Sequence, residues 1–244
     1  MRPVPTLTAA AVVTAAAVTG CADVRAINEA RDDRRDFALS SKQLVIESDG
    51  AELRLVAGTG AAVEVERSLT GKATLRGNAS WSLDGDRLRL RVTCSGLVPD
   101  CTGRHIVHVP AGVAVRVTNN AAVRVVGLSA DLTATVTDGW LRVEKPAGTL
   151  RLDAEYDIDV TGARSPDVIA TSSGRNVDLV FAAPPNRVEV RADGSAKVAL
   201  PGGAETYRIV ATPGGSALTS DPASRRTVTV TAGEGYTATV RKVS

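Results

Sequence analysis

Short segments in which apolar and polar residues alternate strictly run through this sequence from Gln43 onward. Such alternation places the apolar side chains on one face of an extended strand and the polar side chains on the other. In RLRLRV the apolar face consists of Leu88, Leu90 and Val92, and the same pattern recurs in GVAVRV, NVDLVF, RVEV and RTVTVT. No stretch after Ser41 sustains the 3.6-residue period of an amphipathic helix. The chain is therefore predicted to be all-β.

Turn signals separate these segments at intervals close to multiples of about 18 residues, a period typical of stacked coils. They are Asp49-Gly50, Asp84-Gly85, Asp138-Gly139, Ser173-Gly174 and Asp193-Gly194. A β-solenoid produces this spacing because each coil buries its apolar face against the next. A β-sandwich gives similar turn signals and is the alternative. Because the apolar residues are mostly valine, alanine and leucine, with only 3% aromatics, the narrow interior of a solenoid of stacked short strands is favoured.

The stretch from His108 to Ala163 resembles the bacterial putative-adhesin family of β-solenoid domains. Members of that family repeat short valine strands with Gly, Asn and Asp turns, often after a VP-G entry, which here is Val109-Pro110-Ala111-Gly112. The resemblance extends over roughly residues 43–240 and defines the predicted solenoid domain, residues 43–243. It implies an extended fold and a location in the cell envelope, and it implies no established activity. Fold alone does not assign a function.

The N-terminal residues have the pattern of a bacterial lipoprotein signal. Arg2 is followed by an uncharged, mostly apolar run from Leu7 to Val18, which is shorter than the roughly 20 residues that a membrane-spanning helix needs. Val18-Thr19-Gly20-Cys21 resembles the lipobox, which implies cleavage after residue 20 and a lipid on Cys21. An ordinary secretory signal with a chance cysteine is the alternative. The charged residues 21–41 are predicted to be a tether between the lipid and the fold.

The two remaining cysteines, Cys94 and Cys101, bracket the short segment SGLVPD. Outside the cytoplasm two thiols this close are expected to form a disulfide. A metal or redox pair would need C-x-x-C spacing or further ligands, and the sequence offers neither. We predict a disulfide between Cys94 and Cys101.

Charge and motifs exclude several functional classes. The chain carries 29 Lys and Arg against 27 Asp and Glu, whereas a nucleic-acid-binding protein concentrates basic residues on one face. The sequence contains no nucleophile elbow, zinc-protease helix or P-loop. Its only histidines are His105 and His108, which an extended strand would direct to opposite faces, so that they could not share one metal ion.

Four acids alternate in LDAEYDIDV and are predicted to share one face of a strand. They are Asp153, Glu155, Asp157 and Asp159. Carboxylates roughly 6.5–7 Å apart repel one another unless cations offset them. One interpretation is a solvated face paired with Arg142, Arg151 or Arg187 on neighbouring coils. The alternative is a Ca²⁺ site, because Ca²⁺ takes 6–8 oxygen ligands that adjacent coils could supply.

Arginines and tryptophans supply the other candidate binding residues. Arg87, Arg89 and Arg91 form a basic stripe that Arg116 and Arg124 could extend. Such a stripe is either a solvated face or a binding site for anions, whose phosphates and carboxylates match guanidinium groups. The tryptophans, Trp81 and Trp140, either cover the core or stack on sugars.

These observations predict a lipid-anchored, disulfide-bonded β-solenoid on the extracytoplasmic face of the cell membrane. The predicted role is that of an adhesin-like, non-catalytic binding or scaffolding module. Its partners would be the membrane, through the lipid, and an envelope polymer or surface protein, without a cofactor or nucleic acid. One alternative is a polysaccharide-acting β-helix enzyme that uses Ca²⁺ and an arginine base. Another is an envelope-stress accessory protein that works through a membrane partner.

Overall fold

A computed structural model describes residues 30–94 and 100–243. Twenty-one strands and one 3-10 helix, Lys72–Thr74, are found in these residues. The strands are β1 (Arg31–Phe37), β2 (Gln43–Asp49), β3 (Glu52–Ala57), β4 (Val63–Gly71), β5 (Ala79–Asp84), β6 (Arg87–Val92), β7 (Cys101–Val109), β8 (Ala114–Asn119), β9 (Val123–Val126), β10 (Leu132–Val136), β11 (Leu141–Glu144), β12 (Leu150–Ala154), β13 (Ile158–Ala163), β14 (Asp167–Ser172), β15 (Val177–Phe181), β16 (Arg187–Ala192), β17 (Ala196–Leu200), β18 (Arg208–Thr212), β19 (Gly214–Ser216), β20 (Thr227–Thr231) and β21 (Ala238–Lys242).

The strands form two sheets, and the chain passes from one sheet to the other at almost every turn. The first sheet has eleven strands in the order β1-β4-β7-β3-β9-β11-β13-β15-β17-β21-β19. The second has ten in the order β18-β20-β16-β14-β12-β10-β8-β2-β6-β5. From β8 to β17 consecutive strands alternate between the sheets and pair in parallel with the strand one coil earlier. Strands that alternate in this way form the coils of a solenoid.

The register confirms the predicted β-solenoid and its period. Leu132 lies opposite Leu150, which lies opposite Val168, so a coil takes 18 residues here. A sandwich of antiparallel strands, the alternative, would not place each strand parallel to the one a coil away. Antiparallel pairs involve only β1, β4 and β7 in the first sheet and β5 and β6 in the second, among the described strands.

Inward-facing side chains of the two sheets make one apolar core. In the second sheet a single inner row runs through every coil and comprises Leu44, Val115, Leu132, Leu150, Val168, Val188, Val228 and Ile209. All of these are buried. Burying each such side chain contributes about 1.5–3 kcal/mol. The faces predicted from alternation in β6, β8, β15, β16 and β20 are all confirmed by this burial pattern.

Two parts of the fold depart from regular coiling. Strands β20 and β21 lie between the coil formed by β16 and β17 and the outer strands β18 and β19, although they follow β18 and β19 in the chain. At the other end, β1 pairs antiparallel with β4 at the edge of the first sheet. The prediction of a tether over residues 21–41 is therefore wrong for Arg31–Phe37, because Phe37 is buried and two charged residues of β1, Asp33 and Arg34, pair with β4. Residues 21–29 lie outside the described part of the chain.

Candidate functional site

The predicted arginine stripe lies on the outer face of the second sheet. Arg87, Arg89 and Arg91 all point to solvent from β6. Glu47 on the adjacent strand β2 forms ion pairs with Arg87 and with Arg89, whose Nε lies 3.3 Å from Oε2 of Glu47. The stripe is thus partly neutralised. Its proposed extension by Arg124 is wrong, because Arg124 belongs to β9 of the first sheet, whereas Arg116 on β8 remains in the second sheet.

The four alternating acids do not share a strand face, which corrects the prediction. Asp153 is on β12 in the second sheet and Asp159 is on β13 in the first sheet, because the chain turns a corner at residues 155–157. Asp157 accepts hydrogen bonds from the backbone N and the Nδ2 of Asn176, at 3.2 and 2.9 Å. Asp159 pairs with Arg142 at 3.3 Å. Within the described residues, none of the four acids belongs to a group of three that could hold a metal ion.

A row of arginines lies instead on the outer face of the first sheet. Arg54, Arg124 and Arg142 occupy matching positions on the adjacent parallel strands β3, β9 and β11. Neighbouring strands are about 4.8 Å apart, so the three cations repel one another unless anions offset them. Arg124 donates from Nε to Glu144 at 2.8 Å, and Arg142 pairs with Asp159. The side chain of Arg54 forms no ion pair or hydrogen bond with another described residue, so its charge is available to a ligand.

Arg104 and Trp140 complete a groove around this row. The arginine groove, as we name it, has a volume of about 300 Å³ and is lined by Glu52, Leu53, Arg54, Arg104, Ile106, Arg124 and Trp140. Arg104 faces outward from β7 and makes an exposed pair with Glu52, with Nε 3.4 Å from Oε2. Trp140 is half-buried, and the guanidinium of Arg142 lies 4.5 Å from its ring centroid. The arrangement offers three guanidinium groups and an aromatic ring to a ligand with negative charge, although Glu52 and Glu144 partly neutralise Arg104 and Arg124.

The second tryptophan has a structural role. Trp81, on β5, packs against the core with its ring centroid 6.4 Å from that of Phe37 in an edge-on contact. The guanidinium of Arg67 lies 4.1 Å from the centroid of the Trp81 ring. Of the two interpretations made for the tryptophans, core cover therefore holds for Trp81, whereas Trp140 lines the groove.

The histidines face opposite sides of the first sheet, as the strand pattern predicted. His108 points outward, whereas His105 points into the core and is completely buried. Neither ring nitrogen of His105 has a hydrogen-bond partner. Burial disfavours the charged imidazolium and, together with the positive charge of Arg67, lowers the pKa of His105 from 6.5 to about 4. A histidine in this position is neutral and out of reach of any substrate.

Arg67 is a buried charged residue of the first sheet. It lies opposite His105 in the pairing of β4 with β7 and is 7% exposed. It donates from Nη2 to Asp33 on β1 at 2.6 Å, a hydrogen bond that lowers the pKa of the Asp33 carboxyl. The ion pair ties the edge strand β1 to the sheet.

The predicted disulfide between Cys94 and Cys101 is confirmed. The two Cα atoms are 6.2 Å apart, and both residues pack against a small apolar cluster that includes Leu69 and Val92. Cys21 and residues 1–20 lie outside the described residues, and so does the segment 95–99. In the part of the chain that the structure describes, no helix is long and apolar enough to cross a membrane.

Comparison with solved structures finds proteins of similar fold. The crystal structure of a "putative adhesin" from Bacteroides fragilis matches 87% of this chain and 97% of its own chain, with a TM-score of 0.56 and 12% sequence identity. The two proteins share a fold. A "putative cell adhesion protein" from Clostridium sporogenes matches 88% of this chain and 100% of its own with a TM-score of 0.37 and 9% identity. No family model and no curated protein matches the sequence.

The arginine groove was missed by sequence reasoning for a reason that the register explains. Arg54, Arg104 and Arg124 come from three strands that are far apart in the chain and neighbours in the sheet. One signal was available. Arg124 and Arg142 are separated by one 18-residue coil, so a repeat of that length already placed them side by side.

Proposed function

We propose that this protein is a non-catalytic binding module of the bacterial cell envelope, held at the membrane by a lipid on Cys21. Its ligand is an extended acidic polymer, which lies along the arginine groove. The fold that it shares with the Bacteroides fragilis protein supports an adhesin-like role. The lipobox-like sequence before Cys21 supports the anchor and the location.

The observation that carries the binding proposal is the placement of Arg54, Arg104 and Arg124 around one groove, on the adjacent strands β3, β7 and β9. Guanidinium groups match carboxylate and phosphate oxygens in a two-pronged geometry. Because a sheet holds these cations at fixed spacing, a polymer with repeated anionic groups engages several of them with little ordering of the protein. Trp140 adds a flat apolar surface of the kind on which a sugar ring packs.

The binding proposal predicts that a variant with Arg54→Ser, Arg104→Ser and Arg124→Ser binds acidic polymers at least about tenfold more weakly. Each exposed charge pair contributes about 0.2–1 kcal/mol, and tenfold corresponds to about 1.4 kcal/mol. Polygalacturonate, a poly(glycerol phosphate) and anionic phospholipid vesicles would be titrated separately by calorimetry. These probes distinguish carboxylate polymers, phosphate polymers and lipid headgroups as the anion source.

The matched control replaces three arginines on the outer face of the second sheet, with the changes Arg87→Ser, Arg89→Ser and Arg91→Ser. It removes the same charge and is expected to keep the wild-type affinity for the polymers. An equal loss in both triple variants would mean that net charge alone attracts the polymer. In that case, or if only vesicles bind, the groove is not a polymer site.

The anchor predicts the mass of the protein extracted from membranes. The intact mass is expected to correspond to a chain that begins at Cys21 and carries acyl chains, since two acyl chains hold a protein stably to a bilayer. Two further thiols, those of Cys94 and Cys101, should become alkylatable only after reduction. A Cys21→Ser variant is expected in the soluble fraction. An unacylated chain that begins elsewhere would contradict the anchor.

A further inference from the structure

We propose that Glu64, Glu66 and His108 form a binding site for a divalent transition metal ion, with Zn²⁺ as the expected occupant. The three residues lie on the outer face of the first sheet, where β4 and β7 pair antiparallel. The proposal does not depend on polymer binding at the arginine groove.

The strand register brings the three side chains together. Glu64 lies directly opposite His108, and Glu66 is two residues further along β4, so both carboxylates project from the same face as the imidazole. In an antiparallel pair, side chains that are opposite or diagonal to each other are within reach. All three residues are partly buried, with 22%, 40% and 31% of the Glu64, Glu66 and His108 side chains exposed. The paired strands fix the positions of these three residues, and their partial exposure leaves them accessible to a metal ion from solvent.

The distances fit a tetrahedral metal ion. Nε2 of His108 lies 3.2 Å from Oε1 of Glu66 and 3.5 Å from Oε1 of Glu64. The ligand atoms of all three residues lie within 4.8 Å of one another. Ligands about 2.0–2.1 Å from a tetrahedral Zn²⁺ are separated by about 3.3 Å. The two nitrogen–oxygen distances therefore match those between ligands of one zinc ion, and the third ligand atom lies close enough to join them.

The surrounding charges favour a cation. Asp36 on β1 stands opposite Glu64 in the register and adds a third carboxylate to the neighbourhood. Among the described residues, Arg34 is the cation that pairs with this cluster, and it contacts Oε2 of Glu64, so Oε1 remains directed toward His108. Three carboxylates against one guanidinium leave an excess of negative charge when the imidazole is neutral. A dication neutralises that excess, and Arg34 orients the Glu64 carboxylate as an outer-shell partner.

The donor set selects the class of metal. One imidazole nitrogen with two carboxylate oxygens is a ligand set for Zn²⁺ and related transition metals. Ca²⁺ requires 6–8 oxygen ligands and would not select a histidine. Three protein ligands leave a fourth coordination position, which water or a group of a bound partner would fill. This site is distinct from the calcium site considered for Asp153, Glu155, Asp157 and Asp159. Those four acids are divided between two sheets by the corner between β12 and β13.

The test is a calorimetric titration of EDTA-treated protein with ZnCl₂, and in parallel with CaCl₂ and MgCl₂. The mature chain is used with Cys21→Ser, so that an unlipidated thiol cannot bind the metal, and without an affinity tag. We expect one Zn²⁺ per chain and no saturable binding of Ca²⁺ or Mg²⁺. The variants Glu66→Gln and His108→Ala should each weaken Zn²⁺ binding at least about tenfold, a loss seen even for outer-shell changes.

Two controls keep the outcome unambiguous. Asp178→Asn removes a carboxylate from the same sheet face outside the cluster and should leave Zn²⁺ affinity unchanged. Because Glu66→Gln preserves the shape of the side chain, a loss of binding with an unchanged circular-dichroism spectrum would identify the carboxylate as a ligand. Absence of stoichiometric Zn²⁺ binding, or wild-type affinity in either ligand variant, would overturn the proposal.

Discussion

The Gly50→Ala variant is expected to lose about 2–5 kcal/mol of its free energy of unfolding. Gly50 forms the corner between β2 and β3 with a φ of +72°, in the left-handed region where a side chain costs about 1–2 kcal/mol. A Cβ built at this position would lie only 1.9 Å from the carbonyl oxygen of Val92. That oxygen is backbone, so the corner itself must shift, and overpacking of this kind costs about 1–3 kcal/mol.

The same corner carries a hydrogen bond that a shift would break. The backbone N–H of Gly50 donates to Oδ1 of Asn120 at 2.8 Å, and Asn120 also donates from Nδ2 to Asp49 at 2.5 Å. These bonds connect the first corner to the corner that follows β8. The free energies would be measured by urea unfolding of the wild type and the variant.

Gly85→Ala is the matched control for this change. Gly85 has nearly the same backbone conformation, with a φ of +62°, but nothing lies within 4 Å of the Cβ it would gain. Its expected loss is about 1–2 kcal/mol, which is the conformational cost alone. If the two variants lost the same free energy, the close approach of Val92 would have no energetic role and the explanation would be wrong.

Acid is expected to destabilise the protein through His105. Its pKa is lowered to about 4 in the folded chain by burial, with Arg67 adding a smaller effect, against 6.5 as the ordinary value. Between these two pH values the unfolded chain binds a proton that the folded chain excludes, so the free energy of unfolding falls as the pH drops from about 6.5 to 4. The full difference corresponds to about 3 kcal/mol. Above pH 6.5 this residue should contribute no pH dependence.

The contribution of His105 is isolated by comparing pH profiles. Carboxylates also titrate in part of this range, so the wild-type profile alone is insufficient. His105→Leu should flatten the profile between pH 6.5 and 4, whereas Val107→Ala, a change at the next inward position of β7, should lower stability equally at every pH. A His105→Leu profile that runs parallel to that of the wild type would show that this histidine is not the source.

The regular coils could be predicted from sequence because one physical rule produces them. Each strand has one face in the core, so alternation with period two marks both its existence and its orientation. From β8 to β17 the coils also have nearly constant length, which made the period visible in the turn residues. The disulfide was predictable because Cys94 and Cys101 are close in the chain itself.

The alternation rule fails where the chain turns a corner without changing its pattern. In LDAEYDIDV the alternation of acids and apolar residues continues from β12 into β13, although the chain passes from one sheet to the other. The segment contains neither glycine nor proline, the usual signals of a turn. Nothing local therefore indicated that Asp153 and Asp159 would lie on different sheets.

Strand β1 escaped prediction because its stabilisation is almost entirely nonlocal. RDDRRDF contains a single apolar residue, Phe37, and carries six charges. Two of its charged residues, Asp33 and Arg34, pair with Arg67 and Glu64 on β4 about 30 residues away. The same limitation hid the cluster of Glu64, Glu66 and His108, whose members meet only once the antiparallel register of β4 and β7 is known.

The position of β20 and β21 has a consequence for the order in which the molecule can fold. In chain order, each coil from β8 to β17 pairs with the one before it. Strands β18 and β19 break this order, because β20 and β21, which separate them from β16 and β17, come later in the chain. The outer coil can acquire its hydrogen-bonded neighbours only when β20 and β21 arrive. The last two strands, β20 and β21, thus complete the hydrogen bonding of two coils at once: the coil of β16 and β17 and the outer coil of β18 and β19.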